Sequence, residues 1–301
     1  MWFKNLRLFR LTEPFTQTPD ELNEALEAFA FQPCGKLDPM KYGWTFPLGR
    51  QGTQYVHAAN GYIMICAKRQ EKVVPAGVIK DQLEEKVAQI QNDESRHVAR
   101  AERQTLKDEI LFSLLPRAFA KSSMDFAYID TRDDFIVVNA SAANRAEELL
   151  SALREALGQL KTVPIFPKQP PIQTMTEWLR SCSTAQKFEF GEECELLDPK
   201  EGRLIRCKKQ DLTAHEILSH LESGMIVNKL ALSWNESIHF IVDDQFALKR
   251  LKYDDAILDK IDGSHAETAA EEFDIEFSIM TVELNAFIKQ IIKAFGGIDS
   301  L

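Results

Sequence analysis

After Pro75 the apolar period of this chain changes from about two residues to about three and a half, and beyond Pro116 it changes back. Tyr62-Ile63-Met64-Ile65-Cys66-Ala67 and Phe126-Ala127-Tyr128-Ile129-Asp130 read as strands. Between them Val78, Leu83, Val87 and Ile90, and then Val98, Ala101, Leu106, Ile110 and Leu114, recur at helical spacing. The wholly polar run Gln91-Asn92-Asp93-Glu94-Ser95-Arg96 separates two helices whose apolar stripes are too thin for a full core. Residues 76–124 are therefore expected to form a helical pair that protrudes from the first domain and packs mainly on itself. Strands on both sides make the pair an insertion, and Pro116 ends its second helix before Arg117-Ala118-Phe119.

The rest of the chain alternates strand and helix signals. The opening residues 2–11 begin with two aromatics and then alternate as a half-buried strand, and Thr18-Pro19-Asp20-Glu21 supplies an N-cap, a proline at the first helical position and first-turn acid for a helix to about Ala30. Short strands fit 42–46 and 54–58, Asn60-Gly61 marks a hairpin, and a helix fits Ser141 to Leu157. Four prolines in Val163–Pro171 suggest a linker. Beyond it come a helix at 173–182, strands at 187–196 and 202–209, and a helix with a Thr213/Glu216 capping box. A meander at 225–234, 237–243 and 246–252 follows. The end reads as a helix at 266–272, a strand at 274–280, and a helix capped by Thr281 and closed by Gly296-Gly297. The expected class is α+β, with mixed or antiparallel sheets, flanking helices and the protruding pair. Its parts would be a central domain (1–75 and 125–165), the helical tip (76–124) and a C-terminal base domain (166–301).

The net charge of −10 argues against a uniformly basic nucleic-acid-coating protein. Its distribution qualifies that argument. Residues 253–301 hold 3 Lys+Arg against 11 Asp+Glu, whereas residues 1–252 hold 33 against 35. Basic residues cluster at Lys68-Arg69 with Lys72, at Arg203, Arg206, Lys208 and Lys209, and at Lys249-Arg250 with Lys252, as solvated strand edges or as a basic groove. On an unbroken strand Arg206 and Lys208 face one way and Arg203 and Lys209 the other, unless the strand ends or bulges near Lys208.

Catalytic chemistry is harder to find. The chain has no P-loop, G-x-G-x-x-G, G-x-S-x-G or H-E-x-x-H motif. His215 and His220 stand five apart, roughly 140° around a helix, which prevents them from sharing a metal. Asp130, Asp133 and Asp134 suit a turn between strands as well as they suit an ion. The five cysteines are widely spaced and read as reduced thiols, which fits a cytosolic setting. No apolar run approaches the roughly 20 residues of a membrane span, and no signal peptide opens the chain. The residues point away from an enzyme, a metal or a cofactor.

Several longer blocks resemble one family: Trp2-Phe3-Lys4-Asn5-Leu6, His57-Ala58-Ala59-Asn60-Gly61, Leu106-Lys107-Asp108-Glu109, Ser113-Leu114-Leu115-Pro116-Arg117-Ala118-Phe119, Met175-Thr176-Glu177-Trp178, Lys208-Lys209-Gln210-Asp211-Leu212-Thr213 and Lys229-Leu230-Ala231-Leu232. Together they look like the bacterial recombination-associated RdgC family, from residue 2 to about 297. The resemblance implies a cytoplasmic, nucleoid-associated, non-enzymatic protein that binds double-stranded DNA with little sequence preference. It also implies restraint of the RecA recombinase during recombination and replication-fork repair. Horseshoe-shaped subunits would pair at both ends into a dimeric ring with a basic hole. Lys72, Arg117, Lys208, Lys209 and Lys229 are the implied DNA contacts, with Gln210 near one subunit contact and Phe119 at the other. Met225 departs from the pattern, standing where some relatives are expected to carry lysine.

Phe119 follows a proline-terminated helix with no obvious core to enter, so it either anchors an interface or tucks against its own helical pair. A module that acts directly on the recombinase with incidental DNA contact is the alternative function, and a nuclease is a third.

Overall fold

The computed structural model of the chain describes residues 2–262 and 266–299. The first half opens with β1 (Asn5–Leu11), α1 (Pro19–Glu27), β2 (Met40–Thr45), β3 (Val56–Ala59) and β4 (Tyr62–Val73). The helical pair, α2 (Ala76–Glu94) and α3 (Arg100–Leu114), follows, and then β5 (Phe119–Asp130), β6 (Phe135–Val138), α4 (Ala143–Leu157) and β7 (Thr162–Pro164). The second half runs α5 (Pro171–Ser181), β8 (Phe188–Leu197), β9 (Leu204–Lys208), α6 (His215–Glu222), β10 (Ile226–Trp234), β11 (Ile238–Asp243), β12 (Leu248–Tyr253), α7 (Asp255–Asp262) and α8 (Ala269–Ala294).

Local chemistry accounts for several boundaries. Thr18 and Glu21 close a reciprocal capping box on α1, with Thr18 Oγ1 accepting from Glu21 N at 3.3 Å and Glu21 Oε2 accepting from Thr18 N at 2.8 Å. Asn60 and Gly61 take φ of 51° and 75°, the left-handed pair that a two-residue hairpin needs between β3 and β4. As expected from their thin stripes, α2 buries only Val87 and α3 only Ile110. The insertion is shorter than the sequence suggests. A turn at Leu115–Arg117 ends it, and residues 119–124 belong to β5, which pairs with β4 without a break from Val73↔Phe119 to Tyr62↔Asp130. Exposed polar side chains on the outer half of this ribbon hide its period from an apolar-pattern reading.

All named strands join one open sheet in the order β2-β4-β5-β6-β1-β12-β11-β10-β8-β9, with β3 added to β4 and β7 to β1. Of the expected mixed or antiparallel sheets the structure takes the antiparallel form throughout, apart from one isolated parallel bridge between Ala30 and Trp44. β1 links the two halves: Asn5 and Leu6 pair with Lys249 and Leu248, while Arg7 to Arg10 pair with Val138 to Phe135. The proline-rich stretch is not a free linker. Thr162–Pro164 lies along β1, Ile165 N donates to Leu8 O at 2.9 Å, and Pro171 opens α5, so the prolines sit where a sheet edge and a helix start tolerate them.

Two further expectations fail. Thr213 caps nothing, because its Oγ1 is drawn to Asp211 Oδ1 at 2.7 Å and α6 begins after Ala214. The expected helix, strand and second helix after residue 266 are one long helix, α8, capped by Thr268. Ile275, Phe277 and Ile279 alternate as a strand would, but Phe277, Met280, Leu284, Phe287 and Ile291 form the buried helical stripe. Thr281 lies within it, fully buried and donating to Phe277 O at 2.8 Å.

The sheet has a core on each face. Phe9, Leu11, Ile65, Ala67, Ala127 and Ile136 pack under α1 and α4. On the opposite face Phe3, Leu8, Met64, Tyr128 and Val137 share a continuous core with β8–β12, α5, α6 and α8. α8 touches both halves. Phe287 lies 4.8 Å from Phe240, and Asn285 and Lys289 reach the turn after β5, where Asp130 and Asp133 accept from Asn285 and Asp133 pairs with Lys289 at 2.6 Å. That docking accounts for two of the turn's carboxylates, Asp130 and Asp133.

Candidate nucleic-acid interface

Strand alternation decides which side chains of the second half reach solvent. Leu230, Leu232, Phe240, Val242, Cys194 and Cys207 face α8 and the core. Their alternates, Lys229, Ala231, Ser233, His239, Ile241, Glu193, Glu195, Arg206 and Lys208, face the other way, where among the described residues no helix covers the sheet. Two shallow neighbouring cavities of about 550 and 430 Å³ mark this uncovered face, and both are lined by Glu193, Ile241 and Arg250. No described residue of 253–301 lines either one. The acidic C-terminal helix α8 packs on the reverse of the sheet.

β9 ends at Lys208, and Lys209 takes φ of 54°. That turn brings Lys209 into the larger cavity with Arg250 and Lys252, while Lys208 and Arg206 line the smaller one with Lys229 and Lys249. β8 comes close to β10 at Gly191, where a Cβ would stand 3.0 Å from that of Ala231, beside a register shift between Leu230 and Leu232. Gln210 N donates to Glu192 O at 3.3 Å, which ties the exposed Gln210 to the end of the same hairpin.

Much of the positive charge on this face has an internal partner. Both Nη nitrogens of Arg250 donate to Glu193, at 2.7 and 3.0 Å, and Lys249 pairs with the buried Asp243 at 2.6 Å. Glu195, 6% exposed, accepts from Arg206 Nε, Asn228 Nδ2 and Lys229 Nζ, each at 2.8 Å. Among the described residues Lys208, Lys209 and Lys252 form no salt bridge, and they are the freest cations here.

Burial alone would raise the Glu195 pKa, but hydrogen bonds from Lys229, Asn228 and Arg206 hold it down to about 2, against an ordinary 4.5. Because the folded value is depressed, the stability this carboxylate contributes is fully present above pH 4.5 and is lost as the pH falls towards 2. Urea midpoints measured between those limits should fall with acid in the wild type and fall less in Glu195→Gln. Equal slopes would contradict the assignment.

The remaining sequence-predicted residues lie elsewhere. Lys72, with Lys68, is on the sheet face shared with Met64 and Cys66, opposite to that of Lys229, and its Nζ stands 3.5 Å from Ala118 O. Arg117 is exposed in the turn before β5. Lys208, Lys209 and Lys229 are thus brought together, and Lys72 and Arg117 form a separate group at the base of the helical pair. Phe119 is 88% exposed opposite Val73 at the end of the ribbon, which removes the alternative that it tucks against α2 and α3. Met225 is buried in the core, so the position that departs from the family pattern does not face the cations. Sequence reading missed Glu195 as the organiser of this face. Its signal, Glu193 and Glu195 opposite Lys208 and Arg206, appears only once the β8–β9 register is known.

Among the described residues no three His, Cys, Asp or Glu side chains gather as a metal site, and no helix is long and apolar enough to cross a membrane. Cys194 and Cys207 face each other across β8 and β9 as buried free thiols, and burial pushes the Cys194 pKa up to about 12.

Comparison with known proteins places this arrangement in a family. Residues 1–298 match the family model described as "Putative exonuclease, RdgC". The recombination-associated protein RdgC of Psychromonas ingrahamii is 44% identical over 302 residues, covering 100% of both chains. Those of Aeromonas hydrophila and Yersinia pestis are each 43% identical over 298 residues, covering 99% of this chain and 98% of the relative. With agreement from end to end at this level, the chain belongs to the RdgC family of recombination-associated proteins.

Proposed function

We propose that this protein binds double-stranded DNA without sequence preference, closes around it as a ring of two horseshoe-shaped subunits, and thereby restrains RecA-dependent recombination and fork repair in the nucleoid. The observation that carries the reading is the convergence of Lys208, Lys209 and Lys229 on a sheet face that, among the described residues, presents no helix to a groove. Phosphate contacts need only such cations and amide donors, and they carry no base information. Lys72 and Arg117 supply a second basic group near the helical pair, and Gln210 and Phe119 stand at the two subunit contacts. The recombination-associated names of the relatives agree with this reading.

If about four cations from each subunit reach phosphate, roughly eight are neutralised and log K falls with log salt at a slope of about −7. Filter binding of random-sequence duplex across a salt series tests this, and an affinity indifferent to salt would sink it. Incubating plasmid with the protein and a divalent metal tests the activity named in the family description. Cleavage would replace the clamp with a nuclease.

Ring closure has its own test. An aromatic that is 88% exposed in one subunit becomes a buried anchor if a second copy covers it. Phe119→Ala is expected to weaken the dimer by about 2 kcal/mol at that contact and to shorten retention on closed circular DNA. Unchanged sedimentation and unchanged retention would exclude Phe119 from the interface.

A further inference from the structure

We infer that Arg206 is a phosphate-contacting residue held in its working orientation by Glu195, an assignment that rests on the duplex-binding reading of this face. Glu195 Oε2 accepts from the Nε edge of Arg206, while Oε1 accepts from Lys229 and Asn228. One carboxylate thus fixes two cations, one on each oxygen. The Glu195 side chain is only 8% exposed, but that of Arg206 is 66% exposed. The holding group is covered and the held group is presented.

The other arginines of the basic clusters are held differently. Arg250 gives both Nη nitrogens to the two oxygens of Glu193, so its two-pronged end is already occupied. Arg203 donates through Nε and Nη2 to Asp198, and its Nε also pairs with Glu201. In Arg206 only Nε is engaged, and among the described residues neither Nη nitrogen has a hydrogen-bond acceptor. That planar end suits two parallel bonds to phosphate oxygens. Lys208, two residues along β9 on the same face, stands beside it. Because Glu195 has already restricted the Arg206 torsions, less side-chain freedom is lost when phosphate binds.

Charge counting and orientation predict opposite signs for one substitution. Glu195→Gln removes a negative charge from a basic face, so a pure charge count predicts tighter binding. If Glu195 positions Arg206 and Lys229, the same change weakens binding. The experiment measures affinity for random-sequence duplex, and its salt slope, for the wild type, Glu195→Gln, Arg206→Ala, and two charge-matched controls, Glu236→Gln in the β10–β11 turn and Arg203→Ala in the β8–β9 turn. Melting curves establish that each variant is folded.

Arg206→Ala is expected to bind about tenfold more weakly, with a slope shallower by about 1 per subunit, and Arg203→Ala to stay within about twofold. Glu195→Gln is expected to lose affinity about threefold against Glu236→Gln and to gain a shallower slope. Glu195→Gln binding as tightly as Glu236→Gln, or tighter, overturns the positioning role. Equal slopes for Arg206→Ala and Arg203→Ala overturn the contact itself, and they decide the matter alone if Glu195→Gln does not fold. A wild-type protein that fails to bind duplex at all overturns the reading of the face and this assignment with it, a result distinct from either of the others.

Discussion

Reversing charge at Lys208 and Lys209 together is expected to lower duplex affinity by about three orders of magnitude at roughly 0.1 M salt. The two lysines lie at the end of β9, line adjoining cavities and form no salt bridge among the described residues, so their charge is the least compensated on the face. On the proposed dimeric clamp the double substitution would remove four of about eight phosphate contacts, each worth roughly 0.9 of the salt slope, and set four carboxylates in their place. Both residues project from a strand end and neither is buried, so folding should be little affected. Filter binding gives the affinity, and a strand-exchange assay with a RecA-type recombinase gives the functional consequence. Loss of both fits the clamp. DNA binding that survives while inhibition disappears would favour a module that acts directly on the recombinase.

Phe287→Ala should be the most damaging single truncation, costing about 3–5 kcal/mol of folding stability. Phe287 is fully buried on α8, with ring centroids 5.6 Å from Trp234 and 4.8 Å from Phe240. Neighbouring turns of the same helix hold the β5–β6 turn through Asn285 and Lys289. A cavity at Phe287 therefore loosens the helix that covers the shared core of both halves. Chemical denaturation would report it as a large fall in midpoint with an unchanged slope. A loss below about 1 kcal/mol would mean that the site collapses easily and that α8 is held mainly elsewhere.

The sequence showed most clearly the features that short-range chemistry decides. The Thr18 N-cap, the Asn60-Gly61 hairpin and the change of period around the helical pair all appear at or near their expected places. Errors arose where tertiary contacts chose between two local patterns. The alternation at Ile275, Phe277 and Ile279 is that of a strand, yet a core on one side of α8 selected the helical stripe. Asp211 competed for the Thr213 hydroxyl, and β1 recruited Thr162–Pro164 to an edge. At the candidate site, the basic clusters were legible from composition along the chain. Their compensation was not, because Glu195 meets Arg206 across a ladder and Lys229 across another, and register is not written in either strand alone. The opposite facing of Lys72 and Lys229 was hidden for the same reason.

β1 gives the architecture a timetable. It precedes all of its partners along the chain, which are residues 135–138, 162–164 and 248–249, and the helix over its Leu6 and Leu8 side is complete only near residue 294. Ladders closed over such sequence distances form slowly, since the loop entropy is lost before the contacts repay it. A nascent chain stopped before α8 would expose Phe3, Tyr128 and the apolar side of an unfinished sheet. The two halves are therefore expected to mature as one folding unit, dependent on holding chaperones until α8 arrives.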